Sequence, residues 1–493
     1  MSRIPFLAIC CITLFVVIAE KLCGTDTYFL AAVGVIFVVI GVTYNLLGGL
    51  RTISGILFAG FALRTIVASQ FLKVFFREPA DLNLEAAHLT ITVYLIFYCS
   101  LAFSSALFGR LKLPLPQPIE AHTQSQARII YVVSLVAGTL GTFFFLAAGF
   151  VPQGEVAVPT MAHSIGLVLS NLLYVALVLA IDQRIRQSGG AHSAGWAVLF
   201  PAAVICAACL LSTQRGLVLG VVVLYALVCY FRGYRFRKRH LLSGIAFALF
   251  FLFVYSPFEL YSRSLVGNMY FADRVTKTVQ IMEQHPNLTS ITSTVENEGG
   301  WGGGRTGYLS GTKSNALQRP TLIWEDSTLI SACASGFRYG WTSIRMDILY
   351  NVPRIINPNK PEDDASPYVG RVAGLNPDEI PDSKIAFGTI SDAFAGFGIP
   401  GVVVLGFLVF PAFFAVYRSV FDLKTVWGTV ALAIALPAFG ELRTGQILIM
   451  AVFQPIYLIG LSWMLNAVAQ IFPTRGEAAL PPLPATAHTT SLP

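Results

Sequence analysis

The sequence predicts an all-α polytopic membrane protein with about twelve transmembrane helices and one large extracytoplasmic helical loop. Three observations predict it. Of the 493 residues, 55% are hydrophobic and only 12% charged, and the mean hydropathy is +0.68, far more apolar than a soluble domain of ordinary usage. Apolar windows of the roughly 20 residues that a helix needs to cross a bilayer recur along almost the whole chain. Lysine and arginine alternate from one gap between windows to the next, as insertion into a membrane requires.

In order, the windows are 4–22, 28–47, 53–72, 86–108, 128–150, 160–181, 194–212, 215–231, 240–258, 398–417, 426–442 and 446–471. They divide the chain into transmembrane helices over 1–258, a loop over 259–384, further transmembrane helices over 385–472 and a tail over 473–493. The first window follows Arg3, but no small-x-small cleavage site precedes Glu20 and Lys21, so it is expected to be a retained helix. Nearly all of the eight cysteines lie in or at the edges of apolar windows and imply no disulfide framework; Cys206-x-x-Cys209 falls inside a membrane helix, where packing is the expected role.

The even-numbered gaps carry Arg51, then Arg110, Lys112 and Arg128, then Arg184 and Arg186, then the run "FRGYRFRKRH" from Phe231 to His240, and last Arg418 and Lys424. The short odd gaps carry Lys21, Lys73, Arg77, Arg215 and Arg443, and "VPQGEVAVP" carries none. This bias predicts a multi-pass membrane protein with the even-numbered gaps and both termini in the cytoplasm. The basic run then reads as an anchor beside anionic lipid, not as a nucleic-acid site, and no nucleic-acid partner is expected. The tail, rich in Pro, Ala and Thr, is expected to be disordered.

The orientation places the loop 259–384 on the outer side, where a segment of this length is expected to bind or cover something. Leu265, Met269, Ala272, Val275, Val279 and Met282 step by three or four between charged residues, predicting an amphipathic helix that stops near His285-Pro286. A second helix is predicted from an N-cap at Asp326-Ser327 through Ile330, Cys333, Phe337, Trp341, Ile344 and Ile348 to Pro353. Both fit a membrane surface. On the second, Arg338 and Arg345 are two turns apart on one face, about 10 Å along the axis. Between the helices, "NEGGWGGGRTGYLSGTKSN" resembles a phosphate-binding loop, but Thr312 separates Gly311 from Lys313 and spoils the spacing; a flexible loop around Trp301 is expected. The segment "ILYNVPRIINPNKPEDDASPYVG" carries Arg354 and Lys360 on a chain stiffened by Pro353, Pro358 and Pro361, a form suited to holding anions. The chain re-enters the membrane through "SKIAFGTISDAFAGFGIPGVVVLG", which contains Asp392.

Many membrane spans, one large outer loop, the "VPRIINPNKP" segment, the "GTISDAFAGFGIPG" re-entry and the arginine-bearing turns "TQRG" and "ELRTG" together resemble Wzy-type polymerases of O-antigen and exopolysaccharide repeat units. The motif-level likeness covers Pro353 to Gly401, and the family commonly has an acidic residue where Asp392 stands; the glycine-rich insertion and "PEDD" do not map onto it. The resemblance implies polymerisation of undecaprenyl-diphosphate-linked oligosaccharides: a sugar hydroxyl attacks the anomeric carbon of a lipid-linked chain and undecaprenyl diphosphate leaves. It implies a lipid-linked oligosaccharide substrate, chain-length regulators and export proteins as partners, and no cofactor.

That chemistry needs fixed cations for a diphosphate leaving group, and arginine offers a permanently charged bidentate fork. Arg215 opens the eighth window, Arg443 follows the eleventh in "FGELRTGQ", and Arg64 lies within the third in "FALRTIVASQF". An arginine at a helix centre costs about 2.5–3.5 kcal/mol on insertion scales, so each needs a reason. Snorkelling to the headgroups is one reason; a shared anion site with Arg338, Arg345, Arg354 and Lys360 is the other. Asp392 and Glu441 are the candidates for general base, against the plainer roles of helix cap for Asp392 and salt bridge to Arg443 for Glu441. His88, His163 and His285 are isolated and read as structural, and no metal-ligand spacing occurs. Three rival functions remain: an O-antigen ligase sharing the arginine logic, a lipid-linked sugar flippase or transporter, and a non-catalytic export scaffold. An evident internal repeat, expected of many carriers, is missing.

Overall fold

The computed structural model describes residues 3–121, 123–149, 161–212, 215–236, 238–255, 258, 271–284, 308–309, 321–352, 365–374 and 387–472. It is 78% helical, with no strand among the described residues. The all-α class follows directly, because in lipid a helix satisfies its own backbone donors and acceptors.

The helices are α1 (Phe6–Leu22), α2 (Thr27–Leu46), α3 (Ile53–Phe76), α4 (Ala87–Phe108), α5 (Gln124–Gly149), α6 (Met161–Ser170), α7 (Leu172–Gln187), α8 (Trp196–Ser212), α9 (Arg215–Phe231), α10 (Lys238–Phe250), α11 (Phe271–Gln284), α12 (Ile323–Ala332), α13 (Thr342–Asn351), α14 (Ser366–Val372), α15 (Thr389–Val420), α16 (Val426–Ala438) and α17 (Thr444–Ile471). Each apolar window contains helix, and among the described residues seven helical segments are long and apolar enough to cross a membrane: Thr27–Arg51, Ile53–Phe76, Ala87–Phe108, Gln124–Ala147, Ile165–Gln187, Thr389–Val420 and Thr444–Ile471, with shorter apolar helices at Trp196–Leu211, Gly220–Phe231 and Val426–Pro437. The other apolar helices are shorter over their described residues. At 1.5 Å per residue, the 17 residues of α1 reach about 26 Å and the 13 of α16 about 20 Å, against roughly 30 Å of hydrocarbon.

The chain divides into two compact units. One comprises 1–114, 281–419 and 438–453; the other comprises 115–280, 420–437 and 454–493. This grouping cuts across the linear division read from the sequence, because the last helices are shared out between the units.

The first unit is built on an aromatic core. Phe61, Phe97, Phe410 and Phe439 are buried, and the Phe61 and Phe97 rings lie 4.9 and 5.2 Å from that of Phe410, the edge-on spacing such rings prefer. Caps fix the helix starts: the Asp26 carboxylate accepts the N–H groups of Tyr28 and Phe29 at 2.9 and 3.1 Å, and the Thr52 hydroxyl accepts that of Gly55 at 3.2 Å. A π-turn at Leu63–Val67 interrupts α3, and within it the Arg64 carbonyl accepts the Leu322 N–H at 3.2 Å. Such turns frequently mark functional positions.

In the second unit, small residues let α5 and α6 approach: a Cβ added at Gly166 would lie 2.5 Å from the Phe145 nitrogen. The Asp182 carboxylate pairs with Arg186 and with buried Arg232, each at 2.8 Å, and Arg232 also donates to the Lys424 carbonyl. Arg232, counted from the sequence as one member of a lipid-facing basic run, is thus a buried tie between connections.

Candidate functional site

The loop helices that frame the site differ from their predicted form. The helix expected from Asp326 to Pro353 is two, α12 and α13, broken where Gly336 and Gly340 adopt left-handed φ values of 97° and 57°. Arg338 therefore lies in the turn and Arg345 on α13, and the two do not share a helix face. Arg338 packs its guanidinium 4.6 Å from the centre of the Phe394 ring and donates to the carbonyls of Phe337, at 2.5 Å, and Cys333. Capping α12 is its visible work. The turn is strapped to α15 by the Tyr339 and Gly340 N–H groups, which reach the carbonyls of Ala395 and Gly396 at 3.2 and 3.1 Å.

Three buried carboxylates organise this region. Asp326, predicted as an N-cap, lies inside the first turn of α12 because the helix starts at Ile323. Its Oδ1 accepts the Gly388 N–H at 2.7 Å and the Ser391 hydroxyl at 2.6 Å, and its Oδ2 accepts the Tyr94 hydroxyl at 2.5 Å. Asp347 and Arg443, 0% and 2% exposed, form a bidentate pair at 2.6 and 3.1 Å; Arg443 also donates to Ser366, and Asp347 accepts the Ala365 N–H at 3.2 Å. Asp392 receives Tyr339 at 2.6 Å and Ser343 at 2.8 Å on Oδ1, and the Thr444 N–H at 2.9 Å on Oδ2. It thereby satisfies an unpaired donor at the start of α17, where the helix dipole favours negative charge.

Burial pushes the Asp326 carboxyl up to about 6, against the pull of its three donors and with the Asp392 charge adding to the rise. The fold therefore favours the protonated acid. Stability from this group is fullest below its ordinary value of 3.8 and is lost as the pH rises toward about 6. Asn at this position can keep the Gly388 and Ser391 bonds through its oxygen and donate to Tyr94 through its nitrogen. Asp326→Asn is expected to flatten the fall in melting temperature over that interval, measured against the native chain. Burial also raises Asp347, while the Arg443 fork pulls it back.

The turn between α16 and α17 brings Arg64 to Glu441. Their side chains form an ion pair, 22% and 42% exposed. Gly440 makes room for it: a Cβ there would lie 2.7 Å from Arg64 Cδ and 2.9 Å from its Cβ. Glu441 was expected to pair with Arg443 two residues away; Arg443 turns instead to Asp347. So Arg64 and Arg443 meet at one five-residue connection, Phe439–Arg443, where Arg64 pairs with half-exposed Glu441 and Arg443 is buried against Asp347. Asp392 and Glu441 are separated in the same way: Asp392 is 2% exposed and commits both oxygens to protein donors.

Arg345 leaves the exposed side of α13, away from Asp347. The side chain of Arg215, Arg354 and Lys360, and the loop tip at Trp301 lie outside the described residues. The first amphipathic helix is described from Phe271 to Gln284, within its predicted range. In the glycine-rich segment expected to be flexible, Tyr308 is fully buried: its carbonyl accepts Lys73 Nζ at 2.6 Å, and Lys73 lies 4.3 Å from its ring centre. Asp347 is not singled out by sequence, and Asp326 and Lys73 are read there only as a helix cap and as an outer-gap cation. An isolated acid on an amphipathic pattern reads as exposed, and only the helix breaks at Gly336 and Gly340 hint otherwise.

Compared with known proteins, the chain matches no family model, no curated protein and no solved structure; the geometry of this turn and of the carboxylates behind it is what a functional reading rests on.

Proposed function

We propose that the chain is a membrane glycosyltransferase that polymerises undecaprenyl-diphosphate-linked oligosaccharide repeat units at the outer face of the bacterial cytoplasmic membrane. The observation that supports it is the half-open Arg64–Glu441 pair, set on a π-turn and a glycine-made recess and backed by a buried Arg443–Asp347 lock. On this reading the donor diphosphate takes the place of Glu441 on the Arg64 fork. The released carboxylate then accepts the proton of the attacking sugar hydroxyl. The hydroxyl oxygen bonds to the anomeric carbon, the bond from that carbon to phosphate oxygen breaks, and undecaprenyl diphosphate leaves with the bonding pair. Asp392, closed off and fully hydrogen-bonded, positions α17 and the turn before it.

The test is reconstitution of the purified chain in vesicles with lipid-linked oligosaccharide. Longer glycans and released undecaprenyl diphosphate are expected. A ligase would give single transfers onto a different acceptor, and a flippase would move substrate across the bilayer without lengthening it. Arg215, whose role rests on its position in the sequence, is tested in cells: Arg215→Ala is expected to abolish polymer while the protein stays in the membrane and single lipid-linked repeats accumulate. Normal long chains in that variant remove Arg215 from the mechanism.

A further inference from the structure

Helix α13 sends large apolar residues outward as well as inward. Its inward side carries Ser343, Ile344 and Asp347, all buried, while Trp341 at its N-cap and Ile348 are 69% and 40% exposed. Residues spaced by three and four share a helix face, so Trp341, Arg345 and Ile348 form one stripe, with Phe337, 48% exposed, just before it. Trp341 packs edge-on against Phe397 of α15 at 5.0 Å. Beyond Phe397, the exposed Ile399, Val403 and Val404 continue along the same spanning helix.

We propose that the stripe of Trp341, Arg345 and Ile348 is seated in the phospholipid headgroup layer of the bilayer. Continuity with the apolar surface of α15 selects lipid as the occupant. Tryptophan prefers the boundary where its ring is in apolar surroundings and its N–H is wet, and arginine reaches from such a boundary to phosphate. An open, shallow surface lined by Trp341, Thr342, Arg345, Met346 and Leu349 lies beside the guanidinium, where a phosphate-bearing headgroup can reach it. Anchored so, α13 holds Asp347 at a fixed depth, and through it Arg443. The inference is independent of the glycosyltransferase reading.

The test uses the full chain in phosphatidylcholine vesicles, with and without phosphatidylglycerol. Subtracting the emission of Trp341→Phe from that of the native chain isolates the Trp341 signal. Bromines at shallow acyl positions are expected to remove most of that signal, with bromines at deep positions and aqueous acrylamide removing little. Brominated phosphatidylglycerol is expected to quench more than brominated phosphatidylcholine, a preference that Arg345→Gln abolishes. Ile348→Trp in the Trp341→Phe background is a second reporter on the same stripe and should behave alike. Full quenching by acrylamide, or protection from both acrylamide and bromolipid by a protein partner, overturns the proposal. Retention of the lipid preference in Arg345→Gln overturns the part assigned to the guanidinium.

Discussion

Arg443→Ala is expected to destabilise the protein by about 3–5 kcal/mol, the cost of leaving a buried carboxylate without its partner. The side chain is 2% exposed and meets Asp347 through two nitrogens, so water does not replace what is removed. Three segments lose a common anchor at once: α13 through Asp347, the start of α14 through Ser366, and the turn before α17. Asp347→Ala should cost as much by stranding the cation instead. The measurement is thermal unfolding in detergent followed by size-exclusion fluorescence, and the decisive comparison is the double variant Arg443→Met/Asp347→Leu. Replacing both charges by apolar groups of similar volume removes the stranded charge, so the double variant should recover much of the stability that either single alanine loses. If Arg443→Ala instead melts like the native chain and loses only glycan synthesis, Arg443 belongs to the substrate site and not to the scaffold.

Helix content was legible in the sequence because the bilayer makes hydropathy a nearly sufficient signal; each apolar window from 4–22 to 446–471 contains helix among its described residues. Helix length was less legible, since a window of apolar letters does not record where a helix stops: the window 426–442 runs past the helix end at Ala438. The loop read less well. Its periodicity joined α12 and α13 into one helix because Cys333, Phe337 and Trp341 keep a helical step straight through the break. Only the backbone freedom of Gly336 and Gly340 decides the matter, and glycine in a periodic stretch reads equally as tolerated or as terminal. The arginines were found by their cost in an apolar setting, but their partners were not. Glu441 is two residues from Arg443 and 377 from Arg64, yet it bonds the latter. Asp347, which does bond Arg443, lies 96 residues away. Pairing across such separations is set by packing, and local sequence carries no trace of it.

The Arg64–Glu441 pair presents the opposite balance of effects from Arg443–Asp347. With both side chains partly exposed, it contributes at most about 1 kcal/mol to stability, so variants there should fold. Arg64→Ala is expected to lower kcat/KM by about 10²–10³, the usual loss when a fixed donor to a developing anion is removed. Lysine should restore little, because a single ammonium cannot make the paired bonds of the guanidinium fork. Glu441→Gln keeps a hydrogen bond to Arg64 but cannot take a proton, so it should lower kcat by about 10²–10⁴ with KM little changed. On the proposed mechanism the two residues act in succession on one event, the arginine exchanging carboxylate for diphosphate before the carboxylate becomes a base. Their effects should therefore be far from additive, with Arg64→Ala/Glu441→Gln scarcely worse than the poorer single variant. Gly440→Ala supplies a separate lever: its added carbon pushes the Arg64 stem off the turn and should raise KM more than it lowers kcat, with Glu441 intact. Steady-state kinetics on the reconstituted protein and synthetic lipid-linked oligosaccharide read all five variants. Strict additivity of the Arg64 and Glu441 losses would show that the carboxylate is not released by the substrate's arrival, and the handover from salt bridge to diphosphate would have to be abandoned.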